Sequence, residues 1–263
     1  MAHDAKTCYN ELAGHYHLIF EDWEVSMVRQ AAALGAILQA ECGPPNSVRV
    51  LDCACGIGTQ ALGLAKLGFL VSGCDISPNA IQRARREASL RNLDIQFSVA
   101  DMLDLGRISG SNFDAVICMD NALPHLESDH QLVHAATQIR SKLRRGGLFM
   151  ASLRDYDRLV LEKPMVQGPS FFFDKAADST QQGRRIVFQL WDWIDDRRYV
   201  FHLYITRKCE TGWQAHHFAA SYRALLRDEL TSALSQAGFF DIRWQEPAES
   251  GFYQPVVMAR NLR

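Results

Sequence analysis

Between residues 48 and 153, short runs of apolar and β-branched residues alternate with segments of helical spacing. These runs lie at residues 48–52, 70–75, 95–99, 115–119 and 148–153. The first four are continuously apolar, which is typical of strands covered on both faces. Strands that alternate with helices form mostly parallel sheets. We therefore predict an α/β fold with a doubly wound sheet over this part of the chain.

The segments on either side differ from this region in composition and periodicity. Residues 1–45 have helical spacing and end in Gly43-Pro44-Pro45. Residues 155–223 are rich in aromatic and β-branched residues and contain Asp195-Asp196 at hairpin spacing, which predicts an antiparallel insert of three or four strands. Residues 224–263 return to a helix followed by two strands, which extends the main sheet to a predicted seven strands.

Composition and charge exclude several classes of function. The net charge is −2 and the chain has no Lys/Arg run, so nucleic acid is not an expected partner. No apolar run approaches the roughly 18 residues of a membrane span. The seven cysteines have no framework spacing, which favours reduced thiols and a cytoplasmic location.

Two glycines, Gly56 and Gly58, lie between the first strand and the helix that follows it. Glycine at this turn lets a ligand approach the backbone closely, and the free N–H groups of the helix point at that ligand. Asp75 ends the second strand, where a carboxylate can accept both hydroxyls of a ribose. These residues are compatible with a nicotinamide dinucleotide, whose fingerprint has a similar spacing.

Further acids favour a ligand without phosphate. Asp52 immediately precedes the glycine turn, where it would repel a pyrophosphate but can bond an ammonium or hydroxyl group. Asp101 and Met102 follow the third strand, where a carboxylate can accept from an adenine amino group and a thioether can pack on the ring.

At these positions the chain resembles the class I S-adenosylmethionine methyltransferases. LDCACGIGT resembles their first motif, VSGCDIS their ribose-binding acid and VADML their adenine-binding turn. The resemblance implies a Rossmann-like sheet, S-adenosyl-L-methionine as cofactor and S-adenosyl-L-homocysteine as product. The cofactor contacts that it implies are Asp52, Ala54, Gly56, Gly58, Asp75, Ile76, Asp101, Met102 and Met119.

The resemblance also implies a division of the chain into three parts. Residues 1–45 would form a helical N-terminal lid, and residues 46–154 with 224–263 the cofactor-binding α/β domain. Residues 155–223 would form the antiparallel insert on the acceptor side. Within the lid, Tyr9 and Tyr16 are expected to flank the sulfonium or the acceptor, because aromatic faces attract cations, and Trp23 is expected to cap the pocket.

Two longer segments, FDAVICMDNALPHL and RRGGLFMASLRDYD, are similar to the glycine N-methyltransferase branch. This likeness implies that Asn121, Arg154 and Tyr222 hold a small amino acid acceptor. Arg154 is suited to a bidentate clamp on a carboxylate. Asn121 can accept from the amine and orient its lone pair, and His125 can order the loop or shuttle a proton. We therefore predict methyl transfer to an amine nitrogen of a small molecule.

Each assignment has an alternative. Arg154 can instead pair with Asp155 or Asp157 at the surface, Asn121 can be a turn residue, and His125 can serve packing alone. The whole chain can instead be an O-methyltransferase of a small metabolite, a non-catalytic S-adenosylmethionine-binding protein or a nicotinamide dehydrogenase. The oligomeric state stays open.

Asp120 departs from the pattern of the branch, which usually carries a small residue there. In the pocket it would stabilise a cationic amine or act as a general base, and it would disfavour a nearby carboxylate. This weighs against glycine itself, and the apolar stretch at residues 171–173 suggests room for a larger acceptor. His216-His217 lacks partners at metal-ligand spacing, so no metal site is predicted.

Overall fold

Two separate sheets and eight α-helices make up the regular structure of the computed structural model, which describes residues 4–173 and 183–262. The helices are α1 (Ala5–Leu12), α2 (Trp23–Cys42), α3 (Thr59–Lys66), α4 (Pro78–Leu90), α5 (Asp129–Lys142), α6 (Tyr156–Glu162), α7 (Arg227–Gln236) and α8 (Pro247–Ser250). The strands are β1 (Arg49–Asp52), β2 (Leu70–Asp75), β3 (Gln96–Val99), β4 (Phe113–Cys118), β5 (Leu143–Ser152), β6 (Val166–Phe173), β7 (Arg184–Trp193), β8 (Arg198–Cys209), β9 (Gly212–Arg223), β10 (Phe239–Gln245) and β11 (Val256–Asn261).

The main sheet has seven strands in the order β10-β11-β5-β4-β1-β2-β3. All of its pairings are parallel except those of β11, which runs antiparallel to β10 and to β5. The strand order reverses between β1 and β4, and ligands of open α/β sheets bind at the carboxyl ends of the strands at such a point. The predicted doubly wound, mostly parallel seven-stranded sheet is confirmed.

Both faces of this sheet are covered. In β1, Val50 and Leu51 are fully buried in different hydrophobic clusters, one on each side of the sheet. Helices α2, α3 and α4 supply Met27, Leu62 and Ile81 to the first cluster, and α5 and α7 pack on the opposite side. Two-sided burial is the physical reason why the central strands are continuously apolar.

The insert forms a four-stranded antiparallel sheet in the order β6-β7-β8-β9, as predicted. Asp195 closes the central hairpin, because its Oδ1 accepts the backbone N–H groups of Arg197 and Arg198, each at 2.8 Å. The first described strand of the insert begins at Val166. The inner face of this sheet packs against α1 and α6 in a third hydrophobic cluster.

The strand predicted at 148–153 begins earlier, at Leu143, directly after α5. Gly146 and Gly147 therefore lie inside β5 instead of in a loop. A Cβ on Gly147 would lie 2.9 Å from the carbonyl oxygen of Arg144 and 3.1 Å from that of Phe113. Close approach of backbone oxygens from β5 itself and from β4 requires a glycine at this position.

The N-terminal segment lies across the carboxyl end of the main sheet. Ser77, which caps α4, donates its hydroxyl to Oδ1 of Asn10 on α1 at 2.7 Å. Asn79 Nδ2 donates to the backbone carbonyl of Asn10 at 3.1 Å. No helix in the described part of the chain is long and apolar enough to cross a membrane.

Candidate active site

The two glycines of the turn after β1 serve different purposes. Gly56 has φ +53°, and a Cβ added there would meet no protein atom within 4 Å. Gly58 has φ +97° and precedes α3, and a Cβ there would lie 3.1 Å from the side chain of Leu62. Gly56 therefore leaves open space beside the backbone, whereas Gly58 allows the turn to enter the helix.

Gly56 borders a cavity of about 440 Å³ at the carboxyl ends of β1 to β4, which we call the first cavity. Its walls include nine of the residues predicted to contact the cofactor. These are Tyr9, Tyr16, Ala54, Gly56, Asp75, Ile76, Asp101, Met102 and Met119.

Two carboxylates on the wall of the first cavity are held by backbone donors. Asp75 accepts the N–H of Gly56 on Oδ2 and that of Ser77 on Oδ1, each at 2.9 Å. Asp101 accepts the N–H of Leu103 at 2.9 Å. Burial raises the pKa of Asp75, while the Ser77 and Gly56 amides lower it. These bonds fix the orientation of both acids and leave lone pairs for hydroxyl or amino donors of a ligand.

A second cavity of about 770 Å³ lies between the main sheet, the N-terminal helices and the insert. Of the predicted acceptor residues, Asn121, Arg154 and Tyr222 line it. His125 lines the first cavity instead. The two cavities share three wall residues, which are Tyr9, Tyr16 and Asp120. These three residues mark the place where ligands in the two cavities would meet.

Arg154 is a half-buried cation without a carboxylate partner. Its guanidinium donates to the hydroxyl of Tyr199 at 3.1 Å and to Oε1 of Gln189 at 3.4 Å. It also lies over the ring of Trp191, 4.8 Å from the centroid. Within the described ranges no acid forms an ion pair with it. Burial alone would lower the pKa of Arg154, but nearby phenol oxygens, above all that of Tyr199, raise it, so the side chain stays charged.

The alternative pairing of Arg154 with its acidic neighbours is wrong. Both acids instead contact Arg227, the first residue of α7. Asp155 lies 3.7 Å and Asp157 3.4 Å from its guanidinium. Neither of these neighbouring acids therefore neutralises Arg154.

Asn121 holds the local structure around Arg154. Its Oδ1 accepts the backbone N–H of Arg154 at 3.1 Å, and its Nδ2 donates to the hydroxyl of Tyr156 at 2.8 Å. The hydroxyls of Tyr156 and Tyr199 are 2.8 Å apart, which closes a ring of bonds back to Arg154. Since both ends of the Asn121 amide are already bonded, its position favours orienting Arg154 over direct contact with an amine.

His125 belongs to a buried chain of hydrogen bonds. Its Nδ1 lies 3.2 Å from the carbonyl oxygen of Ser221, which can only accept, so this nitrogen carries the proton. Its Nε2 lies 3.1 Å from the hydroxyl of Tyr9, which in turn lies 2.9 Å from that of Tyr222. Burial lowers the pKa of His125 to about 4. His125 is therefore neutral at pH 7 and accepts from Tyr9.

Residues 50–147 match the family model described as a methyltransferase domain. The chain carries a class I S-adenosylmethionine methyltransferase domain.

Relatives and solved structures agree with this methyltransferase domain. The chain is 35% identical to mouse glycine N-methyltransferase over 144 residues, which cover 50% of this chain and 47% of the relative. It is 37% identical to the glycine/sarcosine N-methyltransferase of Parasynechococcus marenigrum over 111 residues, or 42% of this chain and 39% of the relative. The chain thus matches less than half the length of these curated relatives.

The fold extends over most of the chain. The amino pentose methyltransferase CalS10 from Micromonospora echinaspora superposes with a TM-score of 0.70 at 19% identity, covering 90% of this chain and 92% of that chain. The sugar N-methyltransferase KedS8 from Streptoalloteichus superposes with a TM-score of 0.71 at 15% identity, covering 90% and 88%.

The first cavity of the methyltransferase domain fits S-adenosylmethionine. The open space at Gly56 would admit the cofactor beside the backbone, and Asp75 and Asp101 would accept from its ribose and adenine. Met102 and Met119 supply apolar wall for the ring.

Three predicted cofactor residues lie behind the wall of this cavity. Gly58 acts through the backbone, as described above. Asp52 is fully buried beneath Ala54, and its Oδ2 has no hydrogen-bond partner. Burial raises the pKa of Asp52 to about 8, helped by the charges of Asp75 and Asp120. The structure therefore gives Asp52 no direct face on the cavity.

The prediction that Trp23 caps the pocket is wrong. Trp23 is packed in the hydrophobic core, and its Nε1 donates to Oγ1 of Thr59 at 2.9 Å. Arg83 and Arg91 cover its ring. Trp23 therefore supports the start of α3 from behind and does not cap the pocket.

Three further residues of the cavity walls were not predicted from the sequence. Gln60 and Thr59, at the start of α3, line the first cavity, and Tyr253, near the C terminus, lines the second. Gln60 follows the glycine turn by two positions, which is a usable signal. Tyr253 has no sequence signal because only the docking of the β10–β11 connection brings it to the site.

Two other expectations come out differently. Phe171 and Phe173 are exposed on the outer side of the insert sheet, so the size of the second cavity does not come from them.

His216 packs its ring 4.1 Å from that of His15, while His217 bonds His202 at 2.9 Å. Among residues 4–173 and 183–262, no cluster of three or more His, Cys, Asp or Glu could hold a metal ion.

Proposed function

We propose that this chain transfers a methyl group from S-adenosylmethionine to the nitrogen of a small amine that also carries a carboxylate. The observation that supports this is the second cavity, which holds a cation without an acid partner, Arg154, and meets the cofactor cavity at Tyr9, Tyr16 and Asp120. An anionic end of the acceptor would bind Arg154, and its amine would lie toward the junction.

Arg154 still offers N–H donors that suit a carboxylate. A guanidinium has five N–H donors in a planar fork, and the bonds to the Tyr199 hydroxyl and the Gln189 amide oxygen leave donors of Arg154 for a ligand. A buried charge without a counter-ion is costly, so its retention is best explained by a ligand that neutralises it. A carboxylate matches the fork in a bidentate manner.

The chain's own residues would bind and orient the acceptor and exclude water. When bound, S-adenosylmethionine supplies an activated methyl group on a good leaving group. Holding two reactants in line is worth up to roughly 7–11 kcal/mol. Tyr9 and Tyr16 would close the junction, and the Asn121–Tyr156–Tyr199 bonds would hold Arg154 rigid.

The named relatives support nitrogen as the acceptor atom. The sequence relatives are called glycine and glycine/sarcosine N-methyltransferases, and a structural neighbour is called a sugar N-methyltransferase. A cavity of about 770 Å³ is far larger than glycine needs, so we propose a bulkier amine. His125 lies outside this cavity and its Nε2 accepts from Tyr9, so it gives no support to a hydroxyl acceptor that needs a histidine base.

We also propose that the chain divides into an N-terminal lid (residues 1–45), a cofactor-binding domain (46–154 with 224–263) and an insert (155–223), and that it is cytoplasmic. The four-stranded insert and the N-terminal helices both contribute wall residues to the second cavity, which supports an acceptor-side role for the insert. All seven cysteines are free, and five of them are buried, as expected of thiols in a reducing compartment.

The test begins with calorimetric titration of the purified protein with S-adenosylhomocysteine. A panel of amines follows, comprising glycine, sarcosine, phenylalanine, β-alanine and an aminosugar, with methylated products read by mass. For the best acceptor, Arg154→Ala should lower kcat/KM by about 100-fold or more, since removing one partner of a buried charge pair costs 2–5 kcal/mol. Arg198→Ala, on the exposed β7–β8 hairpin, is the matched control. Equal turnover by Arg154→Ala and the parent would refute the acceptor site.

A further inference from the structure

Asp120 is the one acid that lines both cavities. Its Oδ1 accepts the hydroxyl of Tyr253 at 2.5 Å, and its Oδ2 accepts Nε2 of Gln60 at 2.8 Å. Tyr253 belongs to the connection between β10 and β11, and Gln60 to the first turn of α3. Two distant segments therefore converge on this carboxylate and fix its direction at the junction of the cavities.

No cation neutralises Asp120 within the residues that the structure describes. Both of its partners are uncharged hydrogen-bond donors. A desolvated carboxylate that lacks a cation is costly. This is the reverse of the situation at Arg154, so the walls of the second cavity carry both an acid without a cation and a cation without an acid.

The backbone at this point is also unusual. Asp120 and Asn121 have φ +56° and +66°, so two consecutive residues other than glycine lie in the left-handed region. Such strain costs of the order of 1–3 kcal/mol per residue and persists where the surroundings impose it. Here it turns the Asp120 side chain toward the junction while Asn121 reaches back to Arg154.

A buried polar chain supports Gln60 from behind. Its Nε2 also donates to Oε1 of Gln30 at 2.7 Å, and Nε2 of Gln30 donates to Oγ of Ser26 at 3.1 Å. Gln30 and Ser26 belong to α2. The position of Asp120 is thus coupled to the N-terminal helices that cover the site.

We propose that Asp120 binds the ammonium group of the acceptor and removes its proton before methyl transfer, with Gln60 and Tyr253 as positioning residues. This inference rests on the proposed function. The proton moves from the ammonium nitrogen to a carboxylate oxygen of Asp120, and the N–H bonding pair becomes the lone pair that the transfer requires. The proton returns to water when the methylated product leaves.

The electrostatics of the junction favour this step. Burial raises the pKa of Asp120, while the bonds from Tyr253 and Gln60 lower it. The ionisable groups that face it are Tyr253, Tyr16 and Asp52, whose own pKa values are raised in part by its charge. In a desolvated site, a neutral amine beside a neutral acid is favoured over an ion pair more than it is in water.

The first variant is Asp120→Asn, which tolerates left-handed backbone and keeps a bonding oxygen. With the best acceptor of the amine panel, we expect kcat/KM at pH 7 to fall about 100-fold. Without a base, only free neutral amine reacts, so log kcat/KM should rise by one per pH unit up to the pKa of the acceptor itself. A merely structural role would lower the rate equally at every pH.

The second variant, Tyr253→Phe, removes one bond that favours the ionised acid. It should shift the acidic limb of the kcat/KM profile upward by about one pH unit, because the pKa of Asp120 rises. Tyr204→Phe, on the outer face of the insert sheet, is the control and should leave the profile unchanged. Thermal melting of each variant checks folding.

The outcomes separate this inference from the proposed function. No turnover by the parent with any amine of the panel overturns both. Turnover by the parent, together with an Asp120→Asn profile that keeps the shape of the parent profile, overturns the role of Asp120 alone. A steeper profile for Asp120→Asn and a shifted limb for Tyr253→Phe support it.

Discussion

The backbone amide of Gly56 lies 2.9 Å from Oδ2 of Asp75, so the acid that ends β2 is bonded to the glycine turn that follows β1. Two features that stand apart in the sequence therefore form one unit. Asp75 orients the turn and at the same time presents its remaining lone pairs to the first cavity.

Replacement of Asp75 tests this unit. Asp75→Ala should weaken the binding of S-adenosylhomocysteine by at least about 10-fold, because it removes a carboxylate acceptor for the ligand and frees two backbone amides. Calorimetry measures the dissociation constant. Asp94→Ala, an exposed acid in the loop before β3, is the control. Unchanged affinity in Asp75→Ala would remove the ribose assignment.

Alanine substitutions at Gly56 and Gly58 should separate binding from folding. Both positions have positive φ, so each substitution costs roughly 1 kcal/mol of backbone strain. At Gly56 the new Cβ enters the first cavity, which should weaken S-adenosylhomocysteine binding more than it lowers the melting temperature. At Gly58 the Cβ meets Leu62 at 3.1 Å, which should mainly destabilise the protein. Equal effects of both variants on binding would contradict the assignment.

The buried acid Asp52 predicts a pH-dependent stability. Its pKa is raised from an ordinary 3.8 to about 8, so the folded state favours its protonated form. The free energy of unfolding should therefore fall as the pH rises from about 4 to 8, by up to about 1.4 kcal/mol per unit from this group. Asp52→Asn should flatten that slope in urea unfolding at several pH values. A parent slope that persists in the variant would show that other groups cause it.

His125 should have the opposite effect to Asp52, because it lowers the free energy of unfolding as the pH falls. Its folded pKa of about 4 lies below the ordinary 6.5, so its neutral form stabilises the fold above pH 6.5. That contribution, up to roughly 3 kcal/mol, is lost as the pH falls toward 4. His125→Gln should be less sensitive to acid than the parent, whereas His130→Gln, at an exposed position of α5, should not. The measurement is the unfolding free energy between pH 4 and 7.

Much of the fold was predictable because its signals are local. The continuous apolar runs of β1, β2 and β4 reflect burial on both faces, and Ser77-Pro78 marks the start of α4 through a side-chain cap and a proline in the first turn. The least accurate boundary was the start of β5, since Gly146 and Gly147 look like a turn in sequence but lie within the strand, where Gly146 has φ +71° and Gly147 is required by close backbone approach.

Residues of the first cavity were predictable where they lie at the end of a strand or directly after it. Asp75, Asp101 and Met102 lie on the first cavity for that reason. Trp23 was misplaced because an aromatic residue near the site can pack either toward the cavity or toward the core, and its neighbours in sequence do not decide between them. The bond to Thr59 does.

The sequence by itself determined the sheet, the glycine turn and the acids at the strand ends, because hydrophobic period and turn chemistry depend on residues close along the chain. Only the tertiary structure decided that Arg227 forms ion pairs with the acids that follow Arg154. It also decided that Asp120 lies between the two cavities, hydrogen-bonded to Gln60 and Tyr253. These charges acquire their roles from partners that are 60 to 133 residues away, and such partners are chosen by packing rather than by local pattern.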